Sequence, residues 1–333
     1  MTDSSATQTF VNLLTPSLST DNSLAQDVRQ GLAQTPKKLS SRFFYDARGS
    51  ELFKQIMGLP EYYLTDLEHA ILQNQRKEIL FSFGLHSPFQ LIDLGAGDAF
   101  KTKLLLQELT ETKTAFSFVP LDISPEQVKL LLEDLGQSFA ELKVTGLAAE
   151  YFQGLRWLNE HSKERKLVLF LGSNIGNFGP EKAQDFLCEL RETLGPDDRL
   201  LLGVDLRKDP DKIRQAYSDA AGVTAAFNLN LLHRINQELE ADFNLEQFQH
   251  FAEYNPLTGA MRSFLVSTHE QQVQVKALPE SFQFEAWEAI HTENSYKYTL
   301  RQLKEMAQAC RFEVQDIFTD ASHGFADVLL KPQ

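Results

Sequence analysis

The stretch Gln90-Leu91-Ile92-Asp93-Leu94-Gly95-Ala96-Gly97-Asp98-Ala99-Phe100-Lys101-Thr102-Lys103 decides the fold. Leu91, Ile92 and Leu94 make a short apolar run that ends in Gly95-Ala96-Gly97, and a helix-like stretch from Lys103 to Leu109 follows. The pattern reads as a buried strand, a tight glycine turn and a helix start. Without Cβ atoms at 95 and 97 the backbone can lie against a ligand. The helix start beyond offers unpaired N–H groups. A dinucleotide fingerprint would put a third glycine where Phe100 stands, so pyrophosphate fits less well than a nucleoside without phosphates. The next apolar run, Phe116 to Leu121, ends in Asp122. An acid at that strand end can accept hydrogen bonds from ribose hydroxyls. Taken alone, Gly95 to Gly97 would also suit a plain turn in any α/β domain.

Outward from this point the chain alternates. Strands are predicted over 90–94, 116–121, 143–148, 166–171 and 199–205, with helices over 101–109, 125–135, 150–160 and 181–194. Such alternation implies a parallel, doubly wound sheet. Right-handed crossovers then bring the loops after the strands to one edge. Gly95, Asp122, Glu150 and the run Gly172 to Asn177 should meet there.

The rhythm breaks over 208–295. This segment holds a helical stretch with Ile213, Ala216 and Tyr217, a stripe of Phe227, Leu231, Ile235 and Leu239, and β-rich runs near 246–254, 260–268 and 272–276. A helix over 300–310 and strands over 312–318 and 325–330 close the chain, and the final pair is expected as a reversed hairpin. The fold class expected is therefore α/β, a mostly parallel sheet with an antiparallel last strand. Residues 66–207 with 296–333 would form it, and 15–65 with 208–295 a second, α+β domain capping its edge. A pocket for a small ligand is expected between cap and sheet.

Upstream, residues 1–20 are rich in Ser and Thr and are expected to be frayed or loosely docked. A helix is predicted over 24–32. Ser50 is the expected cap of a helix carrying Leu52, Phe53, Ile56 and Met57, and Thr65 that of a helix from 66 to about 80.

Composition narrows the function. The 333 residues are 42% hydrophobic and 23% charged, ordinary for a globular protein. A net charge of −14 argues against a nucleic-acid surface. No apolar run approaches the roughly 20 residues that span a bilayer, and Met1 to Phe10 lacks a basic-then-apolar leader pattern. Cys188 and Cys310 form no Cys-x-x-Cys pair, so neither a disulfide nor a zinc framework is expected, and a reducing cytoplasm is the expected setting. His233, His291 and His323 lie near motifs but in no metal-ligand spacing, so no metal is expected.

The glycine turn with Asp122 is similar to the S-adenosylmethionine site of Rossmann-like class I methyltransferases. Further motifs narrow the resemblance. Phe44-Tyr45-Asp46-Ala47-Arg48-Gly49-Ser50-Glu51-Leu52-Phe53, Leu59-Pro60-Glu61-Tyr62-Tyr63 and Gly172-Ser173-Asn174-Ile175-Gly176-Asn177 resemble the histidine Nα-methyltransferases of ergothioneine biosynthesis. Gly222-Val223-Thr224-Ala225-Ala226-Phe227-Asn228 and His291-Thr292-Glu293-Asn294-Ser295-Tyr296-Lys297 do so too, and the likeness covers roughly residues 38 to 330.

The resemblance implies S-adenosylmethionine as cofactor and L-histidine, with its mono- and dimethyl forms, as substrate. It implies cofactor contacts at Tyr62, Gly95, Lys101, Asp122, Glu150 and Tyr151. Glu150-Tyr151 stands where some family members carry Asp-Phe. Substrate contacts are implied at Tyr45, Phe53, Tyr62, Gly172, Asn177, Tyr217, Glu293 and Ser295, with Asn177 and Tyr45 as the catalytic candidates.

The chemistry suits these residue types. Methyl transfer needs a free amine lone pair in line with the methyl–sulfur bond. The Asn177 amide can hold an amine N–H and aim that lone pair. Phenols at Tyr45 and Tyr217 can donate to a carboxylate. Phe53 can wall a growing ammonium by cation–π attraction. Glu293 and Ser295, two apart, share one face if extended and can meet both imidazole nitrogens. Each side chain alone would pass for core packing or a solvated loop. The expected protein is a cytoplasmic monomer acting on a small molecule. Rival readings are another amine as acceptor, a silent cofactor-binding module, and, weaker, a protein or nucleic-acid methyltransferase.

Overall fold

The computed structural model describes residues 8–14 and 20–333. In chain order the elements begin with β1 (Gln8–Asn12), α1 (Thr20–Leu32), β2 (Lys37–Lys38), α2 (Ala47–Met57) and α3 (Tyr63–Phe83). An alternating run follows: β3 (Phe89–Leu94), α4 (Lys103–Glu111), β4 (Phe116–Asp122), α5 (Pro125–Ser138), β5 (Val144–Ala148), α6 (Tyr151–His161), β6 (Arg165–Phe170), α7 (Pro180–Thr193) and β7 (Arg199–Asp205). Then come α8 (Pro210–Gln215), α9 (Val223–Glu238), β8 (Phe248–Asn255), β9 (Ala260–Ser267), β10 (Gln271–Gln274), β11 (Ser281–Phe284) and β12 (Ala289–Tyr296). The chain closes with α10 (Leu300–Ala309), β13 (Phe312–Thr319) and β14 (Phe325–Pro332).

By its internal contacts the chain divides into two units. The first contains residues 66–206 and 298–333 with the short N-terminal strand, and the second contains 207–297 with the segment up to Thr65.

The first unit is built on an eight-stranded sheet in the order β1-β5-β4-β3-β6-β7-β14-β13. The strands from β1 to β7 in that order pair parallel, while β14 runs antiparallel to both β7 and β13. Its central strands are mostly apolar, as expected where helices cover both faces. Phe89, Leu91, Phe118, Val144, Leu167, Leu169 and Leu201 fill one core. The chain leaves β3 toward β4 on one side and returns to β6 on the other. That reversal opens a crevice beyond the strand ends, the usual ligand position in such sheets. The fold is the Rossmann-like methyltransferase sheet with its reversed last strand.

The second unit holds a four-stranded sheet, β2-β12-β9-β8, and the β10-β11 hairpin. Its core joins Phe44 and Ile56 to Phe227, Leu231 and Ile235 of α9 and to Leu265 and Ile290 of the sheet. Asp46 explains one sequence motif. Its Oδ1 caps α2 by accepting Gly49 N at 2.6 Å and also accepts Asn230 Nδ2 of α9 at 2.8 Å. A Cβ at Gly49 would collide with the Phe44 carbonyl.

Several expectations are corrected. Residues 8–12 are not frayed: they add β1 to the sheet edge, pairing Phe10 with Gly146. The earlier and later parts of the 1–20 expectation, residues 1–7 and 15–19, lie outside the described residues. Asp46, not Ser50, caps α2, because its carboxylate reaches the N–H three residues on. Thr65 sits inside α3, which starts at Tyr63. The glutamate–serine segment is a full strand, β12, and Ser281–Phe284 is a further one.

Cys188 and Cys310 are joined in a disulfide across 122 residues of sequence, with Cα atoms 4.5 Å apart. Helix α7 and the end of α10 bring them together, a tertiary juxtaposition that spacing does not encode. The step from two unpaired cysteines to a reducing compartment thereby loses its premise. Among the described residues no helix is long and apolar enough to cross a membrane.

Candidate active site

In the first unit the glycine turn follows β3 directly. Gly95 is exposed with φ 76° and Gly97 has φ 53°, conformations that suit glycine. Gly95 N and Ala96 N both donate to Leu121 O, at 2.8 and 3.2 Å, which ties the turn to the end of β4. Asp122 sits beside it. Its Oδ2 accepts Gly97 N at 3.2 Å and its Oδ1 accepts Ser124 N at 3.0 Å. Burial raises the Asp122 carboxyl above its usual range, and these backbone donors pull it back down. Gln127 Nε2 donates to Gly97 O at 3.1 Å and braces the turn from α5.

Tyr151 closes the other side. A Cβ built on Gly95 would lie 3.1 Å from Tyr151 Oη. Any side chain there would fill the space under the turn. The Tyr151 ring rests edge-on against Phe170 at 5.6 Å and Phe186 at 5.9 Å, and burial holds its phenol protonated. Glu150, its neighbour, is exposed and makes no cap hydrogen bond to α6.

Lys101 and Gly172 meet through a residue the sequence reading missed. Glu68, fully buried on α3, pairs with Lys101 and accepts Gly172 N at 2.8 and 2.9 Å. Gly203 makes room for it, since a Cβ there would collide with Glu68 Oε1. Asp327 of β14 lies on the same cluster. It is fully buried, and no hydrogen-bond donor reaches either of its oxygens. Burial first, then the Glu68 charge, raise it well above the carboxylate range. Two acids brought together away from water each disfavour the other's charge. Asp93 of β3 is also buried. Burial pushes it up to about 6, although it accepts Thr102 Oγ at 2.6 Å.

Asn177 is exposed at the end of the 3₁₀ turn Asn174–Asn177. Asn174, which the sequence reading passed over, lies nearer the glycines: its Nδ2 is 3.5 Å from a Cβ built on Gly172 and 3.9 Å from one on Gly95.

The remaining candidates lie in the second unit. Tyr45, Phe53 and Tyr62 form a chain of edge-on rings, with centroids 5.5 and 6.2 Å apart, and Tyr62 meets Tyr217 at 6.3 Å. Phe227, from the Gly222 motif, touches both Tyr45 and Phe53 and was not singled out as a site residue. Asp219 holds the start of that motif by accepting Val223 N and Thr224 N at 2.9 and 2.8 Å.

Tyr217 leads on to the sheet. Its hydroxyl donates to Ser295 Oγ at 2.8 Å, and Lys297 Nζ, 1% exposed, donates to both oxygens at 2.8 Å. Glu293 follows the irregularity in β12, opposite Ser263, and stands on the same face as Ser295. It keeps partial exposure, yet its carboxyl is enclosed by protein, and burial pushes it up to about 7 while Lys297 pulls it down. Thr292, between them and the previous turn, is tied down at 2.8 Å to Asn228 Oδ1. His291 and His323 find local partners, Asn294 at 3.1 Å and Thr319 at 2.9 Å. Among the described residues no cluster of His, Cys, Asp or Glu could hold a metal ion.

A reversed-hairpin sheet and a glycine turn with an acid at the neighbouring strand end are the layout of an S-adenosylmethionine-dependent methyltransferase. A family model for histidine-specific, S-adenosylmethionine-dependent methyltransferases matches residues 24–332, and the chain belongs to that family. It is 39% identical to a protein named histidine N-alpha-methyltransferase from Mycolicibacterium smegmatis, over 86% of this chain and 88% of that protein. A protein of the same name from Mycobacterium tuberculosis is 38% identical over 83% of this chain and 84% of its own length. Ergothioneine biosynthesis protein 1 of Neurospora crassa is 33% identical over 81% of this chain and 30% of that longer protein.

Proposed function

We propose that the enzyme moves methyl groups from S-adenosylmethionine to the α-amino nitrogen of L-histidine and of its mono- and dimethyl forms. The product is Nα,Nα,Nα-trimethylhistidine, hercynine, and the step opens ergothioneine biosynthesis. Family membership and the names of the relatives support this reading. The observation that carries it is Glu293: a carboxylate enclosed by protein and near the Lys297 charge, two residues from a serine already bridged to Tyr217 and Lys297.

The cofactor supplies, when bound, a methyl group on a sulfonium. The turn at Gly95 takes the nucleoside, Asp122 the ribose hydroxyls, Tyr151 and Glu150 the adenine side, and Lys101 a carboxylate. On the substrate, Glu293 and Ser295 receive the two ring nitrogens. Tyr45 donates toward the α-carboxylate, and Tyr217, whose own hydrogen goes to Ser295, lines the ring side. Asn177 and the Gly172 loop would hold the amine and aim its lone pair for the transfer. Phe53 and Tyr62 offer ring faces to an ammonium that grows with each transfer.

A net charge of −14 supports a free amino acid over a nucleic acid as partner. On this reading the enzyme is a monomer. The test is mass spectrometry of histidine incubated with enzyme and S-adenosylmethionine. Histidine should gain one, two and three methyl groups. Preference for another amino acid under the same conditions would overturn the assignment.

A further inference from the structure

Lys297 is a buried cation that the proposed mechanism does not use. Its Nζ commits two hydrogens, one to Tyr217 Oη and one to Ser295 Oγ, both at 2.8 Å. Tyr217 Oη also donates to Ser295 Oγ at 2.8 Å. The Ser295 oxygen therefore accepts twice. A hydroxyl has two acceptor positions and one hydrogen, so what Ser295 has left to offer a ligand is its own O–H. Glu293, on the same face of β12, is an acceptor when ionised. The pair is thus one donor beside one acceptor, not two acceptors.

We propose that Lys297 is a positioning residue that fixes Ser295 as a donor, so that the site takes the substrate ring only as neutral imidazole in one tautomer. The ring N–H goes to Glu293 and the ring lone pair to Ser295. This rests on the reading that Glu293 and Ser295 receive the histidine ring. An imidazolium carries two N–H groups and no lone pair, so Ser295 has nothing to donate to. The same polarity rejects a ring without a free acceptor nitrogen.

The titratable groups around the cluster come from several elements. Glu293 and Lys297 belong to β12 and its end, and Tyr217 to the turn after α8. His250 of β8 meets Tyr217 O through Nε2 at 2.8 Å, and burial holds that ring below its usual range. Glu293 can itself titrate, so the experiment must separate its proton from that of the ligand.

Calorimetry with two ligands does so. Histidine changes ring charge near pH 6.5, whereas 1,2,4-triazolyl-3-alanine keeps an N–H, an acceptor nitrogen and no ring charge over pH 5–7. Their affinity ratio cancels the protein's own titrations. For the wild type the ratio should fall about 10- to 30-fold from pH 7 to pH 5. Lys297→Met frees an acceptor position on Ser295, and Ser295→Ala removes the donor, so in each the ratio should change less than about threefold. A flat ratio in the wild type would overturn the proposal. So would a wild-type ratio retained in Ser295→Ala, or in Lys297→Met with only a uniform loss of affinity. Should the wild type fail to bind histidine at pH 7, the histidine reading itself falls, and this proposal with it.

Discussion

Two of the clusters of buried charge among the described residues are built differently. In the first unit, Glu68 is satisfied by Lys101 and by a backbone N–H, and Asp327 lies on the same cluster with its carboxyl raised by burial and by the Glu68 charge. The contacts there run largely through backbone: Gly95, Ala96, Gly97, Ser124 and Gly172 all use main-chain N–H groups. In the second unit the cluster is built from side chains, Tyr217, Ser295 and Lys297, with the Glu293 carboxyl enclosed near the Lys297 charge. A backbone-built site depends on turn geometry and serves many cofactor users. A side-chain-built site can be changed one residue at a time, which is where selectivity for an acceptor can be set.

The largest expected effect tests the first cluster. Lys101→Met leaves the Glu68 carboxylate buried without its cation, beside a second acid. Breaking a buried pair in this way should cost about 3–5 kcal/mol, read in chemical denaturation at pH 7. A loss below about 1 kcal/mol would mean that Gly172 and a proton from Asp327 suffice.

The second prediction has the opposite sign. Glu293 titrates near 7 in the folded chain, above its ordinary 4.5. The folded state therefore holds that proton more tightly than the unfolded one. The associated stability is fully present below about pH 4.5 and is lost as pH rises through about 7. Glu293→Gln removes this dependence. Without ligand it should match the wild type near pH 4 and be more stable by about 1–3 kcal/mol at pH 8, while binding histidine less well. Asp93, pushed up to about 6, gives the first unit a dependence of the same sign that this substitution leaves in place. Equal stability at pH 8 would erase the contrast between the two clusters.

A smaller effect is expected at the turn. Gly95→Ala forces a φ of 76° on a residue with a Cβ and crowds Tyr151. It should cost about 1–2 kcal/mol of stability and weaken S-adenosylmethionine binding more than tenfold in calorimetry. Unchanged cofactor affinity would remove Gly95 from the site.

What the sequence showed follows the same division. The strand–glycine–helix pattern and Asp122 are local, so the cofactor half of the fold was readable from spacing alone. Glu68, Asp327 and Lys297 were not readable: one buried charge on a helix or strand has no local signature, and each acquires its partners from distant segments. Cys188 and Cys310 meet for the same reason. Strand β1, Gln8–Asn12, hid in a polar terminus because an edge strand needs little apolar character. Glu293 and Ser295 were found by family resemblance, and their alternation gave only the shared face. That they lie on a paired strand, with a lysine two residues further fixing the serine, came from the structure.

The central claim is that Glu293 receives the substrate ring. Titration of L-histidine into the wild type and into Glu293→Ala, each with S-adenosylhomocysteine present, tests it most directly. Loss of a charge-assisted hydrogen bond should weaken histidine about 10- to 100-fold and leave cofactor affinity within about twofold. Equal weakening of both ligands, or unchanged histidine affinity, would contradict the account.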